Sequence, residues 1–136
     1  MRKVSCFIFL VALGILLSGC QRKDYSYYAL KALERLRKIN YDATNYKSSK
    51  GDVTPFKTTL DEEYAHLSEL RDNMEAELPE DENARIRMQD KYKVTFDSIC
   101  KNLKQQEDRF RSFEKAGDVP ATIAKIRKLF DPSLNR

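Results

Sequence analysis

YSYYALKALERLRKINYDATNY, residues 25–46, decides the fold. Tyr25, Ala29, Ala32, Leu36, Ile39, Ala43 and Tyr46 recur by fours and threes over three heptads. That spacing puts all seven on one face of an α-helix. No glycine or proline interrupts the stripe, so the backbone is free to stay helical throughout.

Downstream, Lys47 to Val53 reads as a loop, and Thr54-Pro55 as an N-cap followed by proline at the first helical position. A second stripe follows in Phe56, Leu60, Leu67, Leu70, Met74 and Leu78. Pro79 ends it, and the acidic turn from Pro79 to Asn83 suits the positive end of the next helix. The third stripe is Tyr92, Phe96, Ile99, Leu103, Phe110 and Phe113, with Ile86 and Met88 less regularly placed before it. Gly117 is a natural stop. Asp118 and Pro120 restart a short helix carrying Ile123, Ile126 and Phe130, which Asp131-Pro132 ends. The prediction is an all-α antiparallel bundle over residues 25–136, with three long helices and a short C-terminal one. One long intermolecular coiled coil is the competing picture, and the breaks at Gly51, Pro79 and Gly117 argue against it.

Composition agrees with this reading. The chain has 136 residues, one domain's worth, with 34% charged residues, four glycines and three cysteines. So few glycines cannot serve the turns of a large all-β domain, and the cysteines are too few for a disulfide framework. Charge is segregated: residues 21–58 carry a net +5, residues 59–83 a net −9, and residues 84–136 a net +6. An antiparallel arrangement sets the acidic block against basic ones.

Upstream, Arg2 and Lys3 precede an apolar run from Cys6 to Leu17, and Leu17-Ser18-Gly19-Cys20 closes it. A run of twelve residues is too short to span a bilayer, which takes about 20. Positive flank, short apolar core and small residues form the layout of a signal peptide. The tetrapeptide resembles the lipobox of bacterial lipoproteins, and the resemblance covers residues 1–20 only. It implies that Leu17, Ser18 and Gly19 are read by the signal peptidase and that residues 1–19 are cleaved. Cys20 then carries a covalent diacylglycerol and an N-acyl chain, with no other cofactor expected. Gln21, where an Asp would favour inner-membrane retention, resembles the outer-membrane pattern and implies a periplasm-facing anchor.

Residues 20–24 then form a short tether. The four residues from Gln21 to Asp24 reach at most ~14 Å, which holds the bundle close to the bilayer. Arg22 and Lys23 suit anionic head groups. Tyr25, Tyr27 and Tyr28 suit either the interface or, for Tyr25 and Tyr28, the core.

Helix lengths suggest a partner surface. The first two helices hold about 23 residues, near 35 Å, and a helix over 80–116 would reach ~55 Å. The expected overhang lies at its far tip, with Phe110 and Phe113. The short helix, with Ile123, Ile126 and Phe130, is expected to fold back over it. Whatever these five residues leave uncovered is the candidate site for an envelope protein partner.

Catalytic and metal chemistry find little support. Glu63-Tyr-Ala-His66 has the Glu-x-x-His spacing of di-iron bundles, but those sites need a second such segment, and His66 is the one histidine. His66 reads as a surface residue and no metal is expected. Glu63 falls where the second stripe calls for an apolar residue; Tyr64 beside it can supply the contact, and a buried Glu63 would need an Arg or Lys from another helix. Cys100, beside Ile99, reads as a small core residue, with an intermolecular disulfide as the alternative. Lys125-Ile-Arg-Lys128 reads as a solvated face rather than a nucleic-acid patch. The expected function is therefore a lipid-anchored, non-enzymatic protein-binding module. A self-associating structural lipoprotein, which would form a homo-oligomer, is the alternative; an enzyme acting on envelope material, resting on Glu63 or His66, comes third.

Overall fold

The computed structural model describes residues 22–47 and 51–132. The signal peptide, Cys20 and the residues before it in the lipobox lie outside the described residues. Among the described residues there are four helices and no strand: α1 (Tyr25–Asn45), α2 (Thr54–Ala76), α3 (Glu82–Arg111) and α4 (Val119–Phe130). The architecture is an all-α bundle of three long helices and a shorter last one.

The helix ends follow local chemistry. Tyr27 N–H donates to Asp24 Oδ1 at 3.0 Å, and Ala84 N–H to Asp81 Oδ2 at 2.8 Å, so each Asp satisfies one orphan donor at its N-terminus. Thr54 is the first residue of α2 rather than its cap, since Val53 occupies that place. The side chain of Asp52 instead accepts from Thr54 N–H at 2.9 Å, and the Thr54 side chain, followed by this backbone hydrogen bond, lowers the Asp52 pKa. α3 stops at Arg111, short of the residue-116 limit read from sequence, and the chain turns through Gly117, whose φ of +54° favours glycine.

The helices pack as a square: α1 beside α2 and α3, and α4 beside α2 and α3. Acidic α2 therefore lies between the basic α1 and α4. On the α1–α2 side, Arg35 Nη1 donates to both carboxylate oxygens of Glu63, at 3.0 and 3.1 Å. On the α2–α4 side, Lys125 Nζ lies 4.6 Å from the Tyr64 ring centroid. The core collects all three stripes, with Leu36, Leu60, Leu67, Leu103 and Phe110 fully buried.

The register places α3's excess length at the opposite end from the one expected. At the far end Tyr46, Phe56 and Phe110 form a ring cluster with centroids 5.3–5.5 Å apart, so α1, α2 and α3 are flush there. At the near end Tyr25, the first residue of α1, meets Tyr92, with centroids 5.9 Å apart. Residues 82–91 precede that contact, and none of them is buried. They form an arm of ten residues, ~15 Å along the axis, projecting past the start of α1.

Candidate protein-binding groove

The short last helix folds back over the far tip, as the sequence suggested, and the five residues Phe110, Phe113, Ile123, Ile126 and Phe130 leave no apolar partner surface uncovered there. Phe110, Ile123 and Ile126 have no exposed area, Phe130 is buried, and Phe113 is partly buried against the core. The reason is α4, which turns back through Gly117 and lays Ile123, Ile126 and Phe130 inward, with Phe130 stacked on Phe96 at 5.3 Å and 5°. Arg109 covers the remaining edge, its guanidinium 5.2 Å from the Phe113 centroid.

What the bundle leaves open lies at the other end. α4 stops at Phe130, whereas α2 and α3 run on beside each other without packing together. Among the described residues no helix fills the fourth corner of the square beyond the end of α4, and a groove of about 330 Å³, lined also by Pro132, lies there. Met74 and Leu78 of α2, Phe96 of α3 and Phe130 of α4 give it apolar walls, with Tyr25 at its base. Burial, followed by the neighbouring Tyr92 and Glu75, raises the Tyr25 pKa, so its hydroxyl stays protonated.

The rim carries both signs of charge. Arg71 Nε bonds Glu75 Oε1 at 3.2 Å along α2. Across the groove, Asp90 and Lys93 of α3 line the other wall, and neither makes an ion pair among the described residues. Apolar walls under a charged rim suit the apolar face of a helix. They do not assemble a nucleophile, a base and an oxyanion site.

The other sequence candidates are dispersed. His66 is exposed on α2 and lines a shallow surface depression with Tyr27, Tyr28 and Glu69. Glu63, two turns from the groove, is held by Arg35 as described above. Among the described residues no group of three or more His, Cys, Asp or Glu side chains is placed to hold a metal ion, and no helix is long and apolar enough to cross a membrane. Cys100 is buried, and burial, reinforced by the charge of Asp131, pushes its thiol up to about 12.

Sequence reasoning missed Glu107 and Arg127. Glu107 is 1% exposed. Arg127, read from sequence as part of a solvated basic face, turns inward and brings Nη2 to 3.4 Å from Glu107 Oε2. Its Nη1 lies 3.2 Å from Asp131 Oδ2, while Nε is buried without a partner. The signal was available: Glu107 fills the gap between Leu103 and Phe110 in the third stripe, as Glu63 fills that between Leu60 and Leu67 in the second. Compared with protein families, curated proteins and solved structures, the chain matches none.

Proposed function

We propose that this chain is a lipid-anchored, non-enzymatic protein-binding module of the bacterial envelope. In this reading Cys20 holds it to the membrane, and the groove beyond α4 docks a helical segment of a partner protein. The carrying observation is the apolar groove beyond α4, a corner of the bundle that no helix fills among the described residues. The groove continues the line of α4, its two walls are helices, its interior is apolar, and its rim offers Asp90 and Lys93 for orientation. A partner helix there would complete a four-helix arrangement that the chain's own last helix leaves half built.

The position of the groove fits a membrane-associated partner. It opens at the Tyr25 end, where the tether from Cys20 begins. The tether's ~14 Å reach matches the ~15 Å projection of the 82–91 arm, so the groove would face the bilayer at short range. A freely diffusing partner would gain nothing from that placement, whereas an anchored one meets it directly.

In-cell photo-crosslinking tests the reading, with the crosslinker at Leu78, at Gln89 and at the exposed control Lys38. A discrete heterologous product from the first two sites and none from Lys38 is the expected result. Products containing only this chain would replace the reading with a self-associating structural role. The anchor is tested separately: Cys20→Ser should move the protein out of the membrane fraction.

A further inference from the structure

A second groove, on the α1–α3 side, has a different chemistry. It is open, about 540 Å³, and lined from α1 by Asn40, Tyr41 and Asn45 and from α3 by Thr95, Ser98 and Asn102. Arg37 is its one charged lining residue. In a chain with 34% charged residues, two adjacent helices face solvent here with uncharged hydrogen-bonding groups. An ordinary solvated helix face would carry the chain's usual share of Lys and Glu.

Several of these groups have no partner within the described residues. Asn40 Oδ1 is buried without a hydrogen bond. The side chains of Thr95, Ser98 and Asn102 make no hydrogen bond either. The end of the groove is braced: Gln106 Nε2 donates to Thr44 Oγ1 at 2.9 Å, and Arg109 Nη1 donates to Gln106 Oε1 at 2.9 Å. The free amides and hydroxyls therefore stand on a fixed frame. At the edge, Tyr41 is 69% exposed and offers a flat ring face.

We infer that this groove is a binding site for a neutral oligosaccharide. Side-chain amides and hydroxyls both donate and accept, which matches the vicinal hydroxyls of a sugar. The exposed Tyr41 ring presents its electron-rich face to the polarised C–H face of a pyranose. Nucleic acid would require a positive surface, which a single arginine does not provide. A protein interface would centre on buried aromatic or aliphatic anchors, whereas here Ile99 is the one aliphatic lining residue and every other carries a hydrogen-bonding side chain. The inference rests on the α1–α3 pairing alone and is independent of the lipid anchor and of the groove beyond α4.

The test is titration of the full chain, purified in detergent, with chitotetraose and with maltotetraose, followed by NMR of side-chain amides. Saturable shifts at Asn40, Asn45 and Asn102 are expected with at least one sugar, and the preferred sugar identifies whether N-acetyl groups are read. Tyr41→Ala should weaken that binding about tenfold, a loss readable directly in Kd, while Val94→Ala, on α3 and outside the groove lining, leaves it unchanged. Tyr41 and Val94 are both exposed, so neither variant removes core. Absence of saturable shifts with both sugars at about 10 mM, a limit beyond weak specific binding, would overturn the inference. So would a dimer, seen by sedimentation, that Tyr41→Ala dissociates while sugar has no effect.

Discussion

Arg127 of α4 reaches across the core side of the bundle to Glu107 of α3, with Nη2 and Oε2 3.4 Å apart. The carboxylate is nearly inaccessible and the guanidinium only 13% exposed in its side chain. Arg111 and Lys104 also approach Glu107, but both are about half exposed and screened by water. Arg127 is thus the partner that keeps a buried charge compensated.

Glu107→Ala should cost about 1–3 kcal/mol, because the mostly buried Arg127 guanidinium loses one of its two acidic partners and keeps only Asp131. Replacing both partners, as Glu107→Leu with Arg127→Leu, should cost less than Glu107→Ala, since no guanidinium is left near the core and the remaining loss is that of the Arg127–Asp131 pair. Urea denaturation of the three proteins checks the pair, and equal losses in the single and double variants would show that the ion pair is not the source.

Arg109 closes the C-terminal end of α1 from another helix. Its Nη1 donates to Ala43 O at 2.5 Å, which also accepts from Tyr46 N–H at 3.2 Å, and its Nη2 donates to Tyr46 O, just past the helix end. Arg109→Lys keeps the charge but not the fork, and should lose about 1–3 kcal/mol. A thermal melt should show a fall of several degrees; an unchanged midpoint would mean that water serves those carbonyls equally well.

Cys100 makes the fold sensitive to alkali. Its folded pKa of about 12 lies above the ordinary 9.0, so its contribution is fully present below pH 9 and declines as pH rises toward 12. The unfolded chain releases the proton first. At pH 10 the loss from this group should be about 1 kcal/mol, and Cys100→Ala should flatten that part of the alkaline slope. Native protein at pH 8 should react with a thiol reagent only as fast as it opens. Immediate labelling would contradict the burial.

Gly117 turns the chain from α3 into α4 at positive φ. A Cβ there would sit 3.8 Å from Val53 Cγ2, an ordinary contact, so the penalty for Gly117→Ala is conformational, about 1 kcal/mol. Gly117→Asn should cost less, because asparagine enters the left-handed region more readily. Equal losses in the two variants, measured by denaturation, would point to packing instead.

Much of the fold is legible in the stripes, since a repeat of threes and fours determines which face of each helix is buried. Register is another matter. Helix lengths alone do not say which ends align, and reading α3 as overhanging beyond Phe110 put its excess at the wrong end. The alignment is made by Tyr46, Phe56 and Phe110, three rings from three helices whose mutual contact has no one-dimensional signature. Misplacing the overhang also misplaced the partner surface: the expected fold-back of the short helix leaves no remainder at that tip, and the open groove lies where α4 runs out. Glu63 and Glu107 were visible as charged residues at apolar positions. Their partners, Arg35 and Arg127, were not, because each sits on a different helix and looks like an ordinary surface arginine.

The contacts that close the far end have a bearing on how the chain is made. Gln106 reaches back 62 positions to Thr44, and Arg109 reaches back 66 to Ala43. While only α1 and α2 have been synthesised, Tyr46 and Phe56 lack the ring of Phe110 that fits against both, and α1 has no α3 to lie on. Stable packing must await the last third of the polypeptide. Such late closure keeps the growing chain threadable, as the export proposed above would require.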